Sequence, residues 1–253
     1  MNENVEGEIF MKEIDKMLAA QFALDYHCKP EDFFNSDTLV TEFALHPHAR
    51  KRAENGILSI LSYHGKLVIT SAPELKTWCE ETLAKHISAQ WGFEAGSLIS
   101  IDRKLSEYGY GINQAHIFFA PRFPVPNAEY PVKILGKEEI AALESDERID
   151  EAFLFEDYIE DVLGAACYDV NGELLAVSGA TANSDLMWEI GVNSFAEGKG
   201  YAKATLAALT NEILKLGKVP FYGTALSHLA SQNLALRVGF VPTFVELTTT
   251  KLN

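Results

Sequence analysis

The 253-residue chain has little cysteine, little tryptophan and little positive charge. Cys28, Cys79 and Cys167 are scattered, odd in number and form no C-x-x-C pair. That excludes a disulfide framework and reads as reduced, packed thiols of a cytoplasmic protein. Lys and Arg total 21 against 36 Asp and Glu, a formal charge of −15. Nucleic-acid binding needs basic patches, so it is not expected, whereas a cationic substrate is favoured. No apolar run approaches the roughly 18 residues of a membrane helix. The N-terminus MNENVEGEIF carries acids where a secretory leader needs positive charge. No Walker A loop is present. The segment from Gly198 to Lys203 fails the dinucleotide fingerprint, because Lys203 stands where a third glycine must allow close helix–strand packing. His46-Pro47-His48 lies in a ligand-poor loop, reads as plain surface, and gives no expectation of a metal.

What is present suits two modest α/β domains, with 47% apolar residues for their cores. Pro121, Pro124, Pro126 and Pro131 crowd one short stretch and stiffen it as an extended connector. The expected domains are therefore 1–120, a linker at 121–130, and 131–253. In the first, Ile14–Tyr26 and Pro73–Gln90 read as helices. Ile57–Thr70 reads as two strands around His64-Gly65, and Ala115–Ala120 as an apolar strand.

In the second, Val132–Leu135 reads as a strand, followed by helical stretches near Glu138–Leu143 and Asp150–Leu163. Ala165–Asp169 and Leu174–Ala180 form a hairpin around Asn171-Gly172. Met187 to Gly217 then reads as strand, glycine loop and helix. The unpaired N–H groups of such a helix start make a site for phosphate. Leu206, Leu209, Ile213 and Leu216 give the helix a core face, and Gly217 ends it. A strand Val219–Ala225, a helix Leu229–Val238 stopped by Gly239, and a strand Val241–Leu252 follow.

This order resembles the GNAT superfamily of N-acyltransferases. The signature Q/R-x-x-G-x-G/A falls on Glu197, Gly200 and Ala202. Leu234–Phe240 is similar to the second signature, a helix ending in Gly-Phe, and the Glu189-Ile190-Gly191-Val192 strand also fits. The resemblance covers about residues 131–253. It implies an α/β fold with a mixed sheet and acetyl-CoA as co-substrate. The pantetheine arm would pair with the backbone of Ile190, Gly191 and Val192. The pyrophosphate would sit on Glu197, Gly198, Lys199, Gly200, Tyr201 and Ala202. Ser231 and Asn233 would touch the CoA, with Ser227 as a helix cap. Residues 1–120 would be a degenerate GNAT-like half, an acceptor-binding domain or a surface for a homodimer.

Two departures matter. Glu197 replaces the family's Gln or Arg, a carboxylate beside a pyrophosphate, with Lys199 and Lys203 at hand to supply charge. His228 and Ala235 stand where many members have Asn and the Tyr that protonates the departing thiolate. Glu189 is the candidate base for the amine, the alternatives being a water chain or a merely structural strand carboxylate. Between Glu144 and Asp161 lie nine acids opposed in sequence only by Arg148. They are either a wall steering a cationic amine or a solvated face. The expected function is acetyl transfer to a primary amine on a small molecule or a lysine-rich peptide. The alternatives are a non-catalytic acyl-CoA-binding or regulatory module, and an interaction protein that keeps the fold alone.

Overall fold

The computed structural model describes residues 3–35, 37–51, 56–122 and 125–252. The chain is mixed α/β and falls into two compact units. One comprises residues 19–118 and 242–253, the other 1–18 and 119–241. The first helix, α1 (Glu3–Asp25), begins well before the expected Ile14.

In the first unit, β1 (Leu39–Glu42), β2 (Leu58–Tyr63) and β3 (Lys66–Ser71) precede a helical stretch. That stretch runs from α2 (Pro73–Trp78) through a π-helical turn at Cys79–Leu83 into α3 (Ala84–His86). It stops short of Gln90 because Ile87 turns extended. A helix not expected from the sequence, α4 (Ala95–Ser106), leads into β4 (Tyr110–Pro121). The strand order is β1-β3-β2-β10-β4, where β10 (Phe240–Lys251) is the last strand in sequence among the described residues. The alternation Leu58, Ile60 and Leu67, Ile69 sends one face to a core with Leu75, Leu83, Ile101 and Leu105. The opposite face holds Phe22, Phe33, Tyr63 and Phe244 edge to face.

This unit also buries a charge network. The Arg50 guanidinium bonds Asp25 at 2.5 Å and Glu246 at 2.7 Å and lies over the Phe22 ring. The Tyr26 hydroxyl bonds Glu246, and the Gln21 amide donates to Asp25. His48 N–H bonds His46 Nδ1 at 3.2 Å. Among the described residues, no group of three or more His, Cys, Asp or Glu is arranged to hold a metal.

In the other unit, β5 (Lys133–Leu135), a short α5 (Lys137–Ala141), β6 (Asp161–Tyr168) and β7 (Leu174–Thr181) come first. Then follow β8 (Met187–Ser194), α6 (Tyr201–Lys215), β9 (Val219–Thr224) and α7 (Leu229–Val238). The order is β9-β8-β7-β6-β5, antiparallel throughout except for the parallel β8/β9 pair. Leu206, Leu209 and Ile213 are buried as expected, but Leu216 caps the helix end and is 56% exposed.

The expected helix over Asp150–Leu163 does not form. Residues 150–160 are irregular and β6 begins at Asp161. The backbone donors that a helix would use internally go to side chains instead. Asn193 Oδ1 accepts the N–H groups of Glu151 and Ala152, and the Asp161 carboxylate accepts those of Leu154 and Phe155. Phe155, at φ +51°, is left-handed and cannot continue a helix. Among the described residues no helix is long and apolar enough to cross a membrane.

Candidate functional site

The parallel ladder between β8 and β9 ends early. Its pairs run Met187 to Val219, Trp188 to Pro220 and Glu189 to Phe221. Both strands continue, β8 to Ser194 and β9 to Thr224. Beyond Glu189 the ladder between the two strands ends, and among the described residues the edge of Ile190–Val192 that faces β9 has no ladder partner there. Its other edge is taken up by β7 in register from Thr181↔Glu189 to Ala176↔Ser194. A free backbone edge between splayed strands can pair with an extended amide-bearing chain as a strand would. The alternation of side chains keeps that edge clear. Ile190 is buried on the face that carries Ser178, whose hydroxyl lies 2.8 Å from that of Thr205 on α6.

At the C-terminal end of β8 the loop turns into α6. Gly200 is the N-cap, left-handed at φ +89°, and makes no side-chain cap. A residue with a Cβ would be strained there. The first-turn N–H groups of the 15-residue α6 thus meet no side-chain cap at its start, which follows the C-terminal end of β8, and the positive end of the helix dipole lies behind them. The residues from Glu197 to Gly200 are exposed, and Tyr201 and Ala202 are half-buried.

Sequence reasoning missed what lies on this loop. Tyr130, from the proline-rich segment, donates its hydroxyl to the Lys199 carbonyl at 2.8 Å, and its ring sits 4.7 Å from that of Tyr201. Glu129 pairs with Lys203 at 2.6 Å, so much of that lysine's charge is already met. A single tyrosine among prolines gives no signal of this in the sequence.

Glu189 lies on the opposite face of β8 from Ile190, half-buried. Its backbone N–H donates to Asn183 Oδ1 at 2.9 Å, and Asn183 Nδ2 donates to its carboxylate at 3.3 Å. Along the same face follow Gly191 and Asn193, and over them runs the irregular 148–153 segment. Asn193 holds it through the two N–H groups already named and through donation to Arg148 O and Asp150 Oδ1. Burial pushes the Tyr158 phenol above its usual range, helped by Glu156, Glu189 and Asp161.

Of the nine acids, four are engaged by protein groups. Asp146 pairs with Arg148, which holds its carboxyl below the usual range; Glu160 bonds Lys137; Asp150 and Asp161 accept the bonds given above. Glu144, Glu147, Glu151, Glu156 and Asp157 are exposed.

On β9, Tyr222 is the first residue past the last ladder pair. It is 5% exposed, and its hydroxyl lies 2.5 Å from Ser231 Oγ on α7. Burial raises its phenol above the ordinary tyrosine range, and Glu151 adds to the shift. His228, not Ser227, is the N-cap of α7 and makes no side-chain cap. The turn before it is held instead by Gln232, whose amide donates to the carbonyls of Ala225 and Leu226. Asn233 is exposed and Ala235 fully buried.

No protein-family model matches the chain, and no curated protein matches it. Solved structures do. A GCN5-related N-acetyltransferase from Sphaerobacter thermophilus is 15% identical, with 94% of this chain and 92% of that one covered and a TM-score of 0.46. One from Kribbella flavida is 19% identical over 79% of this chain and 89% of that one, TM-score 0.45. A GNAT-family protein from Novosphingobium aromaticivorans, described as a putative acetyltransferase, is 17% identical over 56% of this chain and 66% of that one, TM-score 0.41. The chain is similar in fold to GNAT acetyltransferases. Its chemistry has to be read from its own residues.

Proposed function

We propose that the chain is an acetyl-CoA-dependent N-acetyltransferase acting on a primary, cationic amine. The observation that carries this reading is the parting of β8 and β9 after Glu189 and Phe221, next to the uncapped start of α6. A strand-like free edge and a cluster of helix N–H groups suit the two ends of a CoA, its amide-bearing pantetheine arm and its pyrophosphate.

Acetyl-CoA, when bound, supplies an acyl group activated as a thioester. The chain's part is to hold and orient. The backbone of Ile190–Val192 would bind the arm, with Gly191 keeping that strand free of a side chain on the Glu189 face. The N–H groups at Gly200–Ala202 would bind the pyrophosphate, with Lys199 offsetting the exposed Glu197. Glu189, oriented by Asn183, would take the proton that an ammonium must lose before its nitrogen can attack. The five exposed acids of the 144–157 region would draw a cationic acceptor, a small amine or a lysine-rich peptide, by long-range attraction.

A second reading, a non-catalytic acyl-CoA-binding module, is favoured by Glu197 in the phosphate loop and by Ala235 in α7. Two measurements separate the readings. Acetyl-CoA should raise the melting temperature, because a ligand bound only by the native state stabilises it. Free thiol should then appear when polyamines or aminoglycoside-like amines are added, and faster at low salt. A melting shift with no thiol release from any amine in the panel would favour the module. No shift at all would remove both readings.

A further inference from the structure

We infer that the Tyr222 phenol, relayed by Ser231, protonates the leaving sulfur. The inference rests on the acyl-CoA reading above. If the β8/β9 gap holds the thioester, a group that serves the departing sulfur has to reach the point where the strands separate. The residues that flank that point are few. On β8 it is Glu189, the last paired residue; on β9 the last paired residue is Phe221 and the next is Tyr222. Strand alternation puts Tyr222 on the opposite face of the sheet from Glu189. A base on one side of the gap and an acid on the other suit the loss of a proton by the nitrogen and the gain of one by the sulfur at the same acyl carbon.

The surroundings of Tyr222 suit donation. Its side chain lies almost wholly out of water. Its hydroxyl meets the Ser231 hydroxyl at 2.5 Å, a group able to accept or to donate. Ser231 is half-buried, so the pair reaches from the buried phenol toward solvent. Ser231 and Ala235 are one turn apart on the same face of α7. The small, fully buried Ala235 therefore stands beside the spot that Tyr222 serves from β9. The phenol that α7 lacks is supplied by the neighbouring strand.

The step balances. Glu189 first takes the ammonium's proton and passes it to water. The nitrogen's lone pair then forms the new C–N bond, and Glu189 takes the second proton from that nitrogen and releases it to water as well. The C–S bond breaks with its electron pair passing to sulfur, and the Tyr222 proton goes to that sulfur. The phenolate then regains a proton from the Ser231 hydroxyl, which recovers its own from water.

The test uses the full chain with Tyr222→Phe and Ser231→Ala, and reads binding as well as turnover. By calorimetry at alkaline pH, Tyr222→Phe should bind CoA about tenfold more weakly, since a hydrogen bond to the bound thiolate is lost. Its affinity for desulfo-CoA, which has no sulfur, should be unchanged. Acetyl transfer should fall about 100-fold in kcat with little change in the amine KM. Ser231→Ala, which keeps the phenol and loses only the relay, should fall less. If wild type binds both CoA and desulfo-CoA and Tyr222→Phe loses equal affinity for the two, or keeps wild-type kcat, the proton-donor role is overturned. If wild type binds neither, the acyl-CoA reading itself fails and the inference falls with it.

Discussion

Gly191 on β8 sits directly across the ladder from Gly179 on β7, and the backbone of the 151–152 segment rests on the pair. A Cβ on Gly191 would lie 1.7 Å from the Glu151 carbonyl oxygen, and one on Gly179 would lie 2.0 Å from that of Ala152. Both contacts are with backbone, which cannot swing aside as a side-chain tip can. Gly191→Ala should therefore destabilise the fold by about 1–3 kcal/mol, the usual cost of overpacking, or expel the 148–153 segment. Urea unfolding separates the two outcomes from a neutral one, because an expelled segment also becomes accessible to protease. An unchanged midpoint with unchanged proteolysis would show that the trough is not needed.

The same trough explains what could and could not be read from the sequence. The strand–loop–helix run from Met187 is legible because its determinants are local: an alternating strand, glycines that permit a left-handed turn, and apolar residues at helical spacing. Tyr222 and Ser231 were separately visible, but their meeting depends on β9 lying against α7. The 150–163 stretch, rich in acids and broken by apolar residues, looks helical. Its donors are captured by Asn193, some forty residues downstream, and by Asp161. Tertiary capture of this kind has no local periodicity. Tyr130 and Glu129 were hidden for the same reason, in a segment whose prolines describe only its stiffness. Leu216 fits the helical spacing but falls at the C-cap, where the face no longer meets the sheet.

The buried Arg50 network in the 19–118 unit should be costly to break. Burial opposes the guanidinium's charge, but Glu246 and Asp25 outweigh it and hold its pKa above the usual range. Arg50→Met removes the cation and leaves two carboxylates, both nearly without solvent exposure, facing each other's field. A loss of about 3–5 kcal/mol is expected. Arg50→Lys keeps the charge but not the fork that reaches both partners, and should lose less. Chemical unfolding of the two variants orders them; equal losses would mean that geometry, not charge, dominates.

Two thiols should be inert at neutral pH. Burial, with Asp32 adding to it, pushes Cys28 up to about 12, and burial pushes Cys79 up to about 11. At pH 8 the thiolate fractions are then about one in ten thousand and one in a thousand, against roughly a quarter for a free thiol of pKa about 8.5. Because the native pKa values are the raised ones, the native state favours the neutral thiols. Their contribution to stability is intact below about pH 8.5 and lost as pH rises toward 11–12. Iodoacetamide labelling followed by mass spectrometry should be slow at pH 8 and climb about tenfold per pH unit. Rapid modification of either residue at pH 8 would contradict the burial on which the argument stands.

Gly200→Val should abolish the acetyl-CoA melting shift while the apo protein keeps most of its stability. The residue is exposed, so little packing is lost, but a β-branched residue at φ +89° is forced out of the left-handed region and re-aims the first N–H groups of α6. Tyr130→Phe is the gentler companion. It removes only the bond to the Lys199 carbonyl, leaves the ring against Tyr201, and should weaken the shift without erasing it. If Gly200→Val bound acetyl-CoA as wild type does, the helix start would not be the pyrophosphate site.

Glu189→Gln asks whether the gap is catalytic. Gln is nearly isosteric and can keep a hydrogen bond to Asn183, so the strand and the acetyl-CoA melting shift should survive. What it cannot do is take a proton from an ammonium. Turnover should fall about 100-fold at neutral pH, the lower range of what a positioned base contributes. The deficit should shrink as pH rises toward the acceptor's own pKa, because solvent then supplies the free amine that Glu189 otherwise makes. A pH-independent deficit would instead mean that Glu189 orients the acceptor by its charge. In that case an acceptor with a second cationic group should lose more KM than kcat, which a proton-transfer role would not produce.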